Sequence, residues 1–459
     1  TQIAALNTSA LNALTTSQTR ALSSDQVAAL TTTQIAGLRT TDIAELETSQ
    51  IAALSTTQVR ALSTTNLNAL TTAQTQALSS DQVAALTTTQ IAGLRSTDIN
   101  ELTTAQLQAL TTAQVATLNA TQVGALTTTD IAALATTQIA ALNTSALNAL
   151  TTSQIRALSS DQVAALTTTQ IAGLRTSDIA EFDTVQIAAL ETTDLNALVA
   201  TQVQALTATQ VAALTTTQIA ALRTTDITEL GTSQVKALTT AQIQALGTAN
   251  FNALTTTQVQ ALASSQVAAL TTTQIGALRT TDIGELGTTQ VKALTTTQVQ
   301  ALSTTNFNTL VTTQVQALAS SQVAALTTTQ IAGLRTTDIA ELGTSQIQAL
   351  TSGQLQALST TNLNALTATQ ARALSSSQIQ SLTTTQIGGL RATDIDELDR
   401  SQLQAFTTSQ IAAISTTAIS GLSSGDIRSL SSEQANAFTQ AQVGSFNWWQ
   451  YRAWLQALG

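Results

Sequence analysis

One octad of this chain carries most of its chemistry: Leu38-Arg39-Thr40-Thr41-Asp42-Ile43-Ala44-Glu45. Its arginine recurs at Arg95, Arg175, Arg223, Arg279, Arg335 and Arg391, at intervals of seven, ten, six, seven, seven and seven octads. Arg39 and Asp42 stand at i, i+3 and can pair on a helix, an interaction worth roughly a few tenths of a kcal/mol when exposed. Such a pair binds and orients; it is not a nucleophile beside a base. A second group of charges, Asp394, Asp396, Glu397 and Asp399, could attract a divalent cation. It lacks the Asp-x-Asp-x-Asp-Gly spacing of a calcium loop, so it reads as a solvated face. A third concentration is aromatic: all three tryptophans and the only tyrosine fall at Trp448, Trp449, Tyr451 and Trp454.

Composition removes most other chemistry. The 459 residues include no Cys, His, Met or Pro. There is no disulfide framework and no thiolate metal site. The usual general base and transition-metal ligand are missing with histidine. No metal or cofactor class is implied, and an enzyme is not expected. The net charge of −10 argues against nucleic acid, which selects basic surfaces. No apolar run approaches the roughly 18 residues that a membrane span needs. Asn-x-Ser/Thr sequons at Asn7, Asn119 and Asn143 are expected by chance in so threonine-rich a chain.

The elements that must position these residues come from an eight-residue repeat. From Leu6 to Trp454 every eighth residue is large and apolar, without one insertion. Counting that residue as position one, position six is Ile, Val or Leu almost throughout. The exceptions are Thr19, Thr75, Ala371, Ala435, Phe251, Phe307 and Tyr451. Position five is usually Gln, and positions two to four are Thr and Ser. In one continuous helix the apolar positions would advance about 80° per octad and form no stripe. In a strand, positions one and six would face opposite sides. A short helix per octad, broken at the threonine cluster, makes Ile35 and Leu38 an i, i+3 pair on one face. Thr31 or Thr32 caps it, and with Thr31 as cap Gln34 completes a capping box. Whether the Gln row is solvated or forms a hydrogen-bonded ladder is open at this level.

Helices of five or six residues do not survive alone in water. The expected fold is therefore all-α: a solenoid of consecutive very short helices, each stable only against its neighbours. The octads span residues 1–446, and 447–459 form an aromatic C-terminal cap. The recurrence at seven octads suggests a superhelix of about seven octads per turn with an axial stripe of charge. The competing reading is duplication of seven-octad blocks without structural meaning. Asn250, Asn306 and Asn362, and Lys236 and Lys292, keep the same beat. Trp448, Trp449, Tyr451 and Trp454 would cover the last core face, or serve as an anchor, a subunit contact or a sugar platform. The opening Thr1 is already in phase, which suggests a processed chain or an excerpt of a longer one.

The octad Leu-Thr-Thr-Thr-Gln-Ile-Ala-Gly-Leu resembles the Leu-[Ser/Thr]-x-x-Gln-[Ile/Val]-x-Ala-Leu repeats of very large, Thr-rich, adhesin-like bacterial surface proteins. The same short-helix signature is similar to units in the superhelical N-terminal domain of bacterial magnesium transporters. There, Pro and Glu commonly occupy positions three and four, and this chain has neither habit. The first resemblance implies an extracellular spacer, stalk or filament subunit with self-association. The alternative to it is an adhesin-like surface whose Thr/Gln array meets polysaccharide, ice or a peptide.

Overall fold

The computed structural model describes residues 2–459. A single octad shows how the sequence makes its element. Ser55, extended at φ −68°, caps the helix Thr56–Ala61. Its hydroxyl accepts the Gln58 N–H at 3.2 Å, and its own N–H donates to Gln58 Oε1 at 2.7 Å. The cap therefore sits at position two, and the capping box satisfies two N-terminal donors. Leu62, at φ −64° and ψ 136°, turns the chain out of the helix and starts the next octad. Where position two has no hydroxyl, half of the box survives: the N–H of Ala135 reaches Gln138 Oε1 at 2.9 Å and that of Gly343 reaches Gln346 Oε1 at 2.6 Å. That is why the position tolerates Ala, Gly, Glu and Val.

Repeated along the chain, this gives 55 α-helices and two 3₁₀ segments, with no strand among the described residues. Most are four to six residues long; the exception is Trp448–Ala457, of ten. The branched residue at position six is fully enclosed, as at Ile51 and Val59, and the leucine at position one nearly so. Burying each such side chain contributes about 1.5–3 kcal/mol.

The Gln row is neither solvated nor idle. Gln58 Nε2 donates to the carbonyls of Val27 at 3.1 Å and Leu30 at 2.8 Å, 31 and 28 residues earlier. Gln410 does the same to Ile379 and Leu382, both at 2.8 Å. From Gln34 on, a position-five glutamine such as Gln58 thus caps its own helix with Oε1 and ties it to the previous turn with Nε2. The Gln58 side chain is 2% exposed and its polar atoms are paired. The bonds between turns span 25 to 31 residues, so one turn is about 28 residues, or three and a half octads. This corrects the expectation of seven octads per turn: seven octads make two turns. The half-octad offset arises because the carbonyls at the end of one helix, as at Ser24–Ala28, bond the glutamine of the fourth helix on, Thr56–Ala61, while helices pack against the third.

The helices form two compact units, one ending at Ala237 and the other running Leu238–Gly459, and the same ladder builds each. Successive turns come close enough to constrain small residues. A Cβ on Gly93 would lie 2.5 Å from Thr64 Cγ2 in the preceding turn, and one on Gly421 would press into the Ala392 carbonyl.

Candidate functional site

In the charged octads Asp replaces the position-five glutamine, and aspartate has no N–H to send to the previous turn. The arginine at position two supplies it in four of the seven octads, at Arg39, Arg95, Arg175 and Arg391. All seven Arg–Asp pairs form, with Nη2–Oδ1 distances from 2.5 to 2.9 Å. Each carboxylate is at most 10% exposed, while its guanidinium is about half exposed. The carboxylate takes the N-cap amide, as from Arg335 N at 2.9 Å and Arg391 N at 2.7 Å. In four of the seven the guanidinium also reaches back a turn. Arg175 Nη2 contacts the Leu150 carbonyl at 3.4 Å, the oxygen one turn before Asp178 that a glutamine there would use. Arg39, Arg95 and Arg391 instead bond the carbonyls of Asn12, Asn68 and Asn364. The hydrogen bond to its aspartate raises each guanidinium above the ordinary arginine value, so the charge is held in place.

Those asparagines complete a module that reading the octads one at a time does not find. Asn12, Asn68, Asn148, Asn196, Asn252, Asn308 and Asn364 each stand 27 residues before one of the seven arginines. Each donates Nδ2 to the carbonyl two residues before that arginine, at 2.8–3.0 Å. The signal is present in the sequence: these asparagines share the arginines' intervals, including the irregular ten and six octads. The partners of Asn250, Asn306 and Asn362 differ, since they hold position five. Asn306 and Asn362 donate to Leu278 and Leu334, 28 residues earlier, at 2.8 and 3.0 Å. Glu45 and Glu181 add cross-turn ion pairs with Arg20 at 3.2 Å and Arg156 at 2.8 Å. Glu229 accepts from Gln204 at 2.7 Å. Within the first unit Arg39 and Arg95 stand seven octads apart in the chain, twice the 28-residue span of the glutamine bond, as do Arg279, Arg335 and Arg391 successively within the second.

The acidic cluster is divided among such tasks. Asp394 is held by Arg391, and Asp399 caps its own helix, accepting Gln402 N at 2.8 Å and Ser401 Oγ at 2.6 Å. The Ser401 hydroxyl, then the Gln402 amide, hold the Asp399 carboxyl below the usual range. Arg372 reaches the Glu397 carbonyl at 3.1 Å. No group of three or more His, Cys, Asp or Glu side chains able to hold a metal ion occurs among the described residues.

The aromatic residues split into two sets. Trp454 turns inward, where Nε1 donates to the Ala435 carbonyl at 2.8 Å and the ring packs edge-on against Phe446 at 6.3 Å. Ala435 holds position six, so its carbonyl is of the type that a following turn's glutamine would otherwise take. Tyr451 leans on Trp454 at 5.6 Å. Trp448 and Trp449 point outward, 59% and 67% exposed, with Arg452 4.9 Å from the centre of the Trp448 ring. Asn447 caps this helix through Gln450 N at 2.9 Å. Among the described residues no helix is long and apolar enough to cross a membrane.

The geometry is that of a repeat solenoid typical of structural, non-catalytic proteins: its recurring polar groups are spent on joining turns. None of the curated proteins compared with the chain matches it. The ALTTAQ repeat matches at residues 3–41, 43–80, 67–96, 91–128, 125–158, 147–176, 187–224, 219–256, 248–280 and 275–312. These segments cover more than half of the sequence, and the capping serine or threonine, the glutamine and the Ala-Leu step of the motif are the residues that build each octad, so the chain belongs to the ALTTAQ repeat family.

Proposed function

We propose that this protein is an extracellular spacer, stalk or filament subunit, whose selected property is length. The observation that carries this reading is the cross-turn glutamine bond, repeated in both units with almost no variation in geometry. A scaffold with one polar tie per octad extends by adding octads, because each addition brings its own core pair, cap and tie. The arginines spaced by two turns would add an axial stripe of charge to that scaffold. Residues 447–459 would act as its cap, with Trp448 and Trp449 left outside as the contact for another copy. Deleting seven octads, two whole turns, within the second unit tests the reading. A folded chain whose end-to-end length in electron micrographs drops by a constant step supports it. A chain that loses its fold, or keeps its length, refutes it.

A second reading rests on the outer face. Threonines at positions three and four, such as Thr56 and Thr57, are exposed. Their array would suit an adhesin-like surface for polysaccharide, ice or an extended peptide. Thr-to-Ser replacement along position three keeps the hydroxyls and removes the methyls; ligand binding that survives unchanged sinks a role for that array.

A further inference from the structure

Asp194 breaks the rule that every buried aspartate at position five has a side-chain donor from position two; it has only the Glu191 backbone. It is 3% exposed, and position two of its octad is Glu191 rather than arginine. Asp130 also lacks an arginine, but it receives the Thr127 N–H at 2.9 Å and the Thr127 hydroxyl at 2.6 Å. Glu191 offers no hydroxyl and brings a second negative charge. The helices packed on Thr192–Leu195 are Thr168–Gly173 and Thr216–Ala221, and neither carries a charged side chain. The nearest module arginine one turn on, Arg223, is engaged by Asp226 at 2.6 and 2.9 Å.

The equivalent position shows what Asp194 lacks. Asn66, Asn306 and Asn362 occupy the same place in their octads and donate to the carbonyl 28 residues earlier at 2.8–3.0 Å. For Asp194 that carbonyl belongs to Leu166. A carboxylate has the shape of the asparagine amide but no hydrogen to give, so ionised Asp194 offers nothing to the carbonyl that asparagine bonds at this place in the octad.

We propose that Asp194 is a proton-operated joint: taking a proton from solvent on Oδ, it donates to the Leu166 carbonyl and closes the turn as asparagine does elsewhere. Losing that proton removes the bond. Burial, opposed by the Glu191 backbone bond and aided by the Glu191 charge, moves the carboxyl above its ordinary value of 3.8. The sign follows. A carboxyl raised in the folded state makes the fold gain stability as pH falls from above that raised value to 3.8, and the gain is complete below it. This is the reverse of ordinary acid denaturation.

The test compares the full chain with Asp194→Asn across pH. The asparagine chain should melt higher at pH 7, and the two melting curves should converge as pH approaches 3.8. In the native chain, the Asp194 side-chain carbon signal should titrate above the ordinary value, and Glu191→Gln should bring it down. A signal at or below the ordinary value, or an asparagine chain that melts lower at pH 7, overturns the proposal. The titration is read in the unsubstituted protein, so it decides the matter even if a variant folds poorly.

Discussion

The side-chain amide of Gln58 donates to the main-chain carbonyl of Leu30, 28 residues earlier, at 2.8 Å. That contact sets the length of a turn and supplies the partner for a carbonyl that the helix end leaves free. Gln58→Ala should cost about 2–4 kcal/mol in urea unfolding, because it leaves buried carbonyls and the Ser55 N–H unpaired. Gln26 is exposed and uses Oε1 on Ser23 N at 2.8 Å. Gln26→Ala should therefore cost roughly 1 kcal/mol or less. Equal costs would mean the cross-turn bond contributes little.

Arg335 and Asp338 keep the capping half of a glutamine's work, since all the bonds of Arg335 go to Asp338, so one glutamine should replace both. Arg335→Ala strands a carboxylate that is 2% exposed and should lower the urea midpoint clearly. The double change Arg335→Thr with Asp338→Gln restores the common octad. It should recover most of the loss, since Gln at 338 would reach Leu310 and Phe307. A double variant no better than the single one would show that the ion pair has a role of its own.

Ala371 is an alanine at position six, where most octads have a branched residue. A cavity of about 30 Å³ lies beside it, lined by Leu363, Leu374, Ile379, Leu398 and Phe406 among others. Ala371→Val should fill it and raise stability by roughly 0.5–1.5 kcal/mol, seen as a higher melting temperature. A loss of stability would mean that the neighbours cannot admit two methyl groups.

Gly93 lies under Thr64 across one turn. Gly93→Ala should destabilise by about 1–3 kcal/mol through overpacking against Thr64 Cγ2. Thr64→Ser removes that methyl and keeps the hydroxyl, so it should rescue the alanine variant. Failure of the rescue would place the cost in the backbone instead.

Asp399 should respond to acid in the usual direction. Its carboxyl is lowered mainly by the Ser401 hydroxyl, so its contribution is present above the ordinary value of 3.8 and is lost as pH falls through the lowered one. Ser401→Ala should shift its titration upward toward 3.8 in a side-chain carbon NMR titration. An unchanged titration would assign the effect to the Gln402 amide.

The sequence by itself determined the local element, because both of its causes are local. Position six and position one make an i, i+3 apolar face, and Ser55 with Gln58 closes a capping box within four residues. Hence the all-α solenoid, the octad phase and the pairing of Arg39 with Asp42 are all legible from neighbours in the chain. The turn is not. Its length depends on which carbonyls a glutamine meets 28 and 31 residues away, and no residue type near Gln58 encodes that separation. The burial of the Gln row, the tie from Arg175 to Leu150, the seven asparagines and the closeness of Gly93 to Thr64 are all consequences of that stacking. The recurrence at seven octads is visible in the sequence yet reads there as one turn rather than two, because a period in sequence fixes only a multiple of the period in space. Local capping chemistry chose the helix; the match between free carbonyls and side-chain amides in successive turns chose the superhelix.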